Sequence, residues 1–228
     1  MGNRQIQNRI HIPDWVWIVL LAVLLLLIYF SVFTSDYLIN DELDEIGSLR
    51  PIGARVVDTY FRFGRGLFSI PVGLLYNFAG LDPARIRLVR LFNFAANALL
   101  AVVLFRFLRK HSGSAAFSFF VILLFMSQTA MQPVVGYSFQ FLASLQPAAW
   151  LSLGAFFLYF SDRRKFNFPD WLRLAFVFVI LMAAMQFYQA FALFSMIPLA
   201  YLVLSDWGRS GKKAWRYLLA SGAVIVLS

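Results

Sequence analysis

Apolar residues fill this chain in unbroken blocks, neither alternating with polar ones nor confined to a narrow stripe. The clear blocks are 15–34, 88–107, 114–135 and 141–160, then a 33-residue stretch from Leu172 to Leu204 and a last run from Trp215 onward. A helix rises about 1.5 Å per residue, so about 20 apolar residues cross the roughly 30 Å hydrocarbon core of a bilayer. Blocks of that length predict membrane-spanning helices. In lipid every backbone N–H and C=O must be bonded internally, which leaves only helices and closed barrels. A barrel needs alternating segments of about ten residues, a pattern foreign to these blocks. The predicted fold is all-α: a polytopic transmembrane helical bundle forming a single domain over residues 1–228.

Two blocks need interpretation. As one helix, Leu172–Leu204 would be about 50 Å long, too long for one span. Two short spans joined near "QFYQA", with Tyr188 and Gln189 at the bend, fit better. The segment 63–80, "FGRGLFSIPVGLLYNFAG", is apolar but short, and Gly64, Gly66, Gly73 and Pro71 interrupt it. The first block, from Trp15 to Phe33, is too long for the apolar core of a cleaved signal peptide and reads as a retained span.

Composition agrees with a membrane setting. The chain is 61% hydrophobic and 14% charged, with 26 Phe, whereas soluble domains are about half apolar and a quarter charged. It has no cysteine, which removes disulfides, thiolate metal sites and cysteine nucleophiles. The histidines, His11 and His111, stand beside basic residues near predicted membrane boundaries and read as headgroup-level polar residues. A net charge of +9 raises nucleic acid as a partner. The basic residues cluster between apolar blocks, however, where membrane orientation explains them and no nucleic-acid partner is expected.

Charge also decides the ambiguous segment. If 63–80 does not cross and the N-terminus is cytoplasmic, thirteen Lys and Arg lie inside and seven outside. If it crosses, five lie inside and fifteen outside. The positive-inside rule selects the first arrangement. The expectation is then about seven spans, with 63–80 re-entrant or interfacial in a large first outer loop, 35–85. Short basic inner loops such as "SDRRK" and "RSGKK" set topology and contact anionic lipid. The last run stops in mid-membrane, so the chain is expected to be the N-terminal part of a longer protein.

The outer loop opens with "NDELDEIGSLRP", residues 40–51, which holds four of the eleven acids: Asp41, Glu42, Asp44 and Glu45. On a helix Asp41, Asp44 and Glu45 share one face, and such crowding raises at least one carboxyl pKa. Three uses fit. Asp41, Asp44 and Glu45 could hold Mg²⁺ or Mn²⁺, which take carboxylate oxygens together with substrate phosphates. Asp41 or Glu42 could be a general base. The third use is a solvated acidic turn. Arg50, Arg55, Arg62 and Arg65 follow on the same loop, against the orientation bias, and arginine suits bidentate phosphate recognition. Arg90 lies inside an apolar helix with Asn93 and Asn97, a polar stripe at i, i+3 and i+7. Intramembrane polar groups face a bundle interior or an aqueous cavity and are functional by default.

A first span, an acidic pair opening a large outer loop, then "RPIG", an interfacial segment and the "YQAF" of Tyr188–Phe191 together resemble polytopic glycosyltransferases of the GT-C type. Within them the chain is most similar to the bacterial and phage glucosyltransferases that modify O-antigen. The resemblance implies that Asp41 and Glu42 match the acidic motif, with Asp44 and Glu45 as substitutes, and that Arg50 and Pro51 match the basic-proline element. It also implies a multi-pass protein of the bacterial inner membrane that uses a polyprenyl-phosphate sugar as donor. Transfer would go to a glycan or lipid acceptor on the periplasmic face. Taken with the reading of the residues themselves, the expected substrate-binding set is Arg50, Arg55, Arg62, Arg65, Arg90, Tyr188 and Gln189. Two other readings stand beside it: a transporter or flippase-like module for an anionic lipid-linked substrate, with Arg90, Asn93 and Asn97 lining a path, and a non-catalytic membrane scaffold.

Overall fold

A computed structural model describes residues 12–30, 57–58, 61–62, 66–79, 82–127, 141–160, 168–187, 194–205 and 207–227. Among the described residues there are eight α-helices and no strand, so the chain is all-helical. They are α1 (Asp14–Ile28), α2 (Gly66–Ala79), α3 (Pro83–Ser112), α4 (Ala115–Met126), α5 (Gln146–Phe160), α6 (Asp170–Phe187), α7 (Met196–Ser205) and α8 (Trp207–Leu227). A π-helical turn, Phe141–Leu145, leads directly into α5.

Local chemistry sets the bounds of α3. The Asp82 side chain accepts from Ala84 N at 2.9 Å, and Pro83, which has no N–H to satisfy, begins the helix. Its far end carries Arg109 and Lys110, cations favoured where backbone carbonyls are left unpaired, with His111 beside them. Gly113 then stops it with φ 71°, a left-handed conformation that costs a residue with a Cβ. Ser114 caps α4 by accepting from Phe117 N at 3.2 Å. The result is a tight helical hairpin. With 30 residues α3 is about 45 Å long, so the expected span 88–107 is the centre of a longer rod.

The first helix packs against this hairpin along its whole length. Arg109 meets Asp14 at one end, and the rings of Trp17 and Phe119 lie 5.2 Å apart one turn further on. At the other end Tyr29 stacks edge-on to Phe94 at 6.4 Å and donates its hydroxyl hydrogen to the Met126 carbonyl. Thus α1 and α4 run parallel, and α3 runs against both.

Two helices, α3 and α6, are long and apolar enough to cross a membrane. Four of the other expected spans appear among the described residues as shorter helices, with 15 residues in α1, 12 in α4, 15 in α5 and 10 in α7, while α8 has 21 residues with Arg209, Lys212, Lys213 and Arg216 in its first half. The stretch Leu172–Leu204 is divided between α6 and α7. The interruptions expected in 63–80 do not occur over Gly66–Ala79, where α2 runs through Pro71 and Gly73 without a break. Only one backbone hydrogen bond is lost at a helical proline, and apolar packing on one face holds α2. Phe68, Val72, Tyr76 and Ala79 bury themselves against Ile86, Val89 and Ala143.

A larger core joins the remaining helices through Leu25, Leu104, Phe105, Phe156, Val177 and Tyr217. Many large apolar side chains face outward as well. Leu27, Leu74, Phe92, Leu124, Val179 and Leu219 are all exposed. Together with α3 and α6, which are long and apolar enough to cross a bilayer, these exposed side chains point to membrane association.

Candidate functional site

The polar stripe of α3 is buried as a unit. Arg90 is 3% exposed, Asn93 0% and Asn97 2%. Spacing of three and four residues puts them on one face, and that face looks into the bundle. It lies near the end remote from Asp14. Nineteen residues separate Arg90 from Arg109, about 28 Å of helix. Val89, beside Arg90, belongs to the cluster that holds α2, so α2 covers this end of the stripe.

A fourth polar residue joins from another element. Gln146, the first residue of α5 and 5% exposed, donates from Nε2 to Oδ1 of Asn93 at 3.4 Å. Asn97 donates from Nδ2 to the Asn93 carbonyl at 3.0 Å and reaches Asn93 Oδ1 at 3.5 Å. Asn93 Oδ1 therefore receives both amide N–H groups. This fixes both amide orientations, because turning either one would bring its oxygen against an oxygen. The oxygens Asn97 Oδ1 and Gln146 Oε1 are then left buried without a hydrogen-bond partner among the described residues. The π-helical turn explains how Gln146 gets there. A π turn holds more residues per turn than an α-helix, so it changes the direction in which the next side chains project.

An apolar groove of about 690 Å³ runs between α5 and α6. Pro147 and Phe187 lie at its upper end, Trp150, Gly154 and Ile180 along it, and Leu158 at the far end. A side chain at Gly154 would meet nothing within 4 Å.

The remaining sequence-predicted residues divide as follows. Asp41, Glu42, Asp44, Glu45, Arg50, Arg55, Arg65, Tyr188 and Gln189 lie outside the described residues, and so does His11. Arg62 pairs with Asp58 at 2.9 Å with side chains 77% and 61% exposed, a surface ion pair apart from the buried stripe. Arg85 fastens the α2–α3 corner. It reaches Asp82 at 3.3 Å, donates to the Phe78 carbonyl at 3.0 Å and lies over the Phe78 ring. His111 contacts the Phe107 carbonyl at 2.8 Å and stacks beside Phe107. Among the described residues no group of three or more His, Asp or Glu could hold a metal ion; the proposed ligands Asp41, Asp44 and Glu45 are not among them.

Sequence reasoning misses Gln146 and a second buried polar set. Tyr217 donates to Ser195 Oγ at 2.9 Å, Ser195 N donates to Ser152 Oγ at 2.9 Å, and Ser221 donates to the Tyr217 carbonyl at 2.9 Å. These bonds tie α5, α8 and the residue before α7 together, the packing role hydroxyls take between helices in lipid. A polar residue inside an apolar block was the available signal for both. Gln146 and Ser152 stand inside 141–160 just as Asn93 and Asn97 stand inside 88–107.

Compared with protein-family models, with curated proteins and with solved structures, the chain finds no match.

Proposed function

We propose that the chain is a membrane glycosyltransferase that moves a sugar from a polyprenyl-phosphate donor to a cell-surface glycan or lipid acceptor. The reaction takes place on the outer face of a bacterial inner membrane. In this reading α1 and α3–α8 are seven crossings, the N-terminus is cytoplasmic, and α2 lies at the outer interface. The opposed directions of α1, α3 and α4, and the lengths of α3 and α6, support that arrangement.

One observation carries the proposal: Arg90 is buried with Asn93, Asn97 and Gln146 at the end of α3 that follows the acid-bearing segment. A guanidinium set among amides inside an apolar bundle suits bidentate recognition of a phosphate, and the head of a lipid-linked sugar is an anion. The apolar groove between α5 and α6, lined at one end by Pro147, the residue after Gln146 in sequence, suits a hydrocarbon chain.

The chemistry divides among this chain's residues. Asp41 or Glu42 takes the proton from the acceptor hydroxyl as its oxygen forms a bond to the anomeric carbon of the donor sugar. The bond from that carbon to the phosphate oxygen breaks, and polyprenyl phosphate leaves with the electron pair. Arg50, Arg55, Arg65 and Arg90 offset the charge on the departing phosphate.

The test is transfer of a radiolabelled hexose from polyprenyl phosphate to lipopolysaccharide in proteoliposomes. Loss of the base lowers the rate about 100-fold or more, so Asp41→Asn or Glu42→Gln is expected to abolish measurable transfer while the protein stays in the membrane. Unchanged transfer in both single variants and in the double variant removes the catalytic reading.

A further inference from the structure

The amide cluster on α3 and α5 has a chemical polarity of its own. Both side-chain amide nitrogens already donate to Asn93, Asn97 Nδ2 and Gln146 Nε2 alike. What it offers is acceptors, Asn97 Oδ1 and Gln146 Oε1, in residues 2% and 5% exposed. A buried carbonyl oxygen left unmatched carries a desolvation cost that natural structures retain where a partner arrives later. Two such oxygens repel phosphate or carboxylate and select a group that donates hydrogen: an ammonium or a hydroxyl. Arg90 sits one helical turn from Asn93 on the same face and disfavours a cation. A neutral hydroxyl-bearing group remains.

We infer that Asn97 Oδ1 and Gln146 Oε1 are the hydroxyl-reading subsite of the bundle, accepting hydrogen bonds from two hydroxyls of a hexose whose phosphate lies towards Arg90. Asn93 is the positioning residue, because it fixes which way both amides face. Along the helix axis Asn93 and Asn97 lie about 4.5 and 10 Å from Arg90, a span that a sugar and its phosphate can cover. The inference rests on the proposed glycosyl transfer, since it assigns residues to the sugar of that donor.

Binding to the full chain in lipid nanodiscs tests it with two probes, polyprenyl phosphate and polyprenyl-phosphohexose. The wild type is expected to favour the sugar-bearing lipid by about tenfold or more, as two hydrogen bonds from hydroxyls allow. Gln146→Met and Asn97→Leu, which keep side-chain volume, are each expected to cut that preference about fivefold. Affinity for polyprenyl phosphate should stay within about twofold. Donors lacking single hydroxyls, offered to the wild type, are expected to reproduce the loss for two of the hydroxyls, and this arm does not depend on any variant folding. Folded variants that keep the full preference, or deoxy donors that all bind as the parent does, overturn the subsite. Equal binding of the two lipids overturns it too, while leaving transfer to be judged by its own assay. Binding of neither lipid overturns the subsite and the proposed function together.

Discussion

The guanidinium Nε of Arg109 lies 3.1 Å from Oδ1 of Asp14, across 95 residues of sequence. This contact brings the start of α1 and the α3–α4 turn to one side of the bundle, and Tyr29 and Met126 meet at the other end. A polypeptide without cysteine allows the sides to be labelled without background. Ser114→Cys is expected to react with an impermeant thiol reagent only after the cells are opened. Leu43→Cys is expected to react in intact cells. Labelling of position 43 only from the cytoplasm would falsify the proposed orientation.

Gly113 is the hinge of the α3–α4 hairpin, and its constraint is conformational. A Cβ there would meet nothing within 4 Å, yet φ is +71°. Gly113→Ala is therefore expected to destabilise the detergent-solubilised protein by about 1 kcal/mol. Gly113→Asn should cost less, because asparagine tolerates the left-handed region. Thermal unfolding of the two variants side by side checks the order. Equal loss in both would point to packing in place of backbone strain.

The Tyr217–Ser195 hydrogen bond is buried and well formed at 2.9 Å. Removing the acceptor leaves a phenol hydroxyl buried without it, so Ser195→Ala is expected to cost about 1–3 kcal/mol. Tyr217→Phe removes the donor and should cost less, about 1 kcal/mol. A double-mutant cycle is expected to give a coupling of about 1 kcal/mol. Additivity of the two changes would show that the hydroxyls do not act together.

Gly154 opens the apolar groove between α5 and α6. A Cβ at Gly154 meets nothing within 4 Å, so Gly154→Leu is expected to narrow the groove and leave the fold intact. Transfer from a long-chain prenyl donor should fall about tenfold, the value of two displaced methylenes. A short-chain donor that does not reach the groove should be unaffected. Equal loss with both donors would mean that the substitution disturbs the bundle.

What the sequence discloses follows from how lipid differs from water. Arg90, Asn93 and Asn97 were legible because polar groups in an apolar block have nowhere to go but inward, and all three are buried. The division of Leu172–Leu204 was legible from length alone. Which apolar residues face the core was not. Leu21 and Leu25 are buried while Leu20 and Leu27 are exposed, and nothing in their hydropathy separates them, because lipid and protein interior are equally apolar. Gln146 escaped because its direction depends on the π-helical turn before it, a backbone feature without a strong residue signature. The lengths of α1 and α4 fell short of the apolar blocks that contain them.

The continuity of α3 has a mechanical side. From its cap at Asp82 to its stop at Gly113 it is a single rod, held near one end by Asp14 and carrying Arg90 near the other. Over the roughly 28 Å between Arg109 and Arg90, a pivot of about 4° displaces Arg90 by about 2 Å. Helices longer than the bilayer is thick accommodate by tilting. Bilayer thickness is therefore a lever on the geometry around Arg90, and the same protein should hold the proposed lipid-linked donor differently in thin and thick lipid.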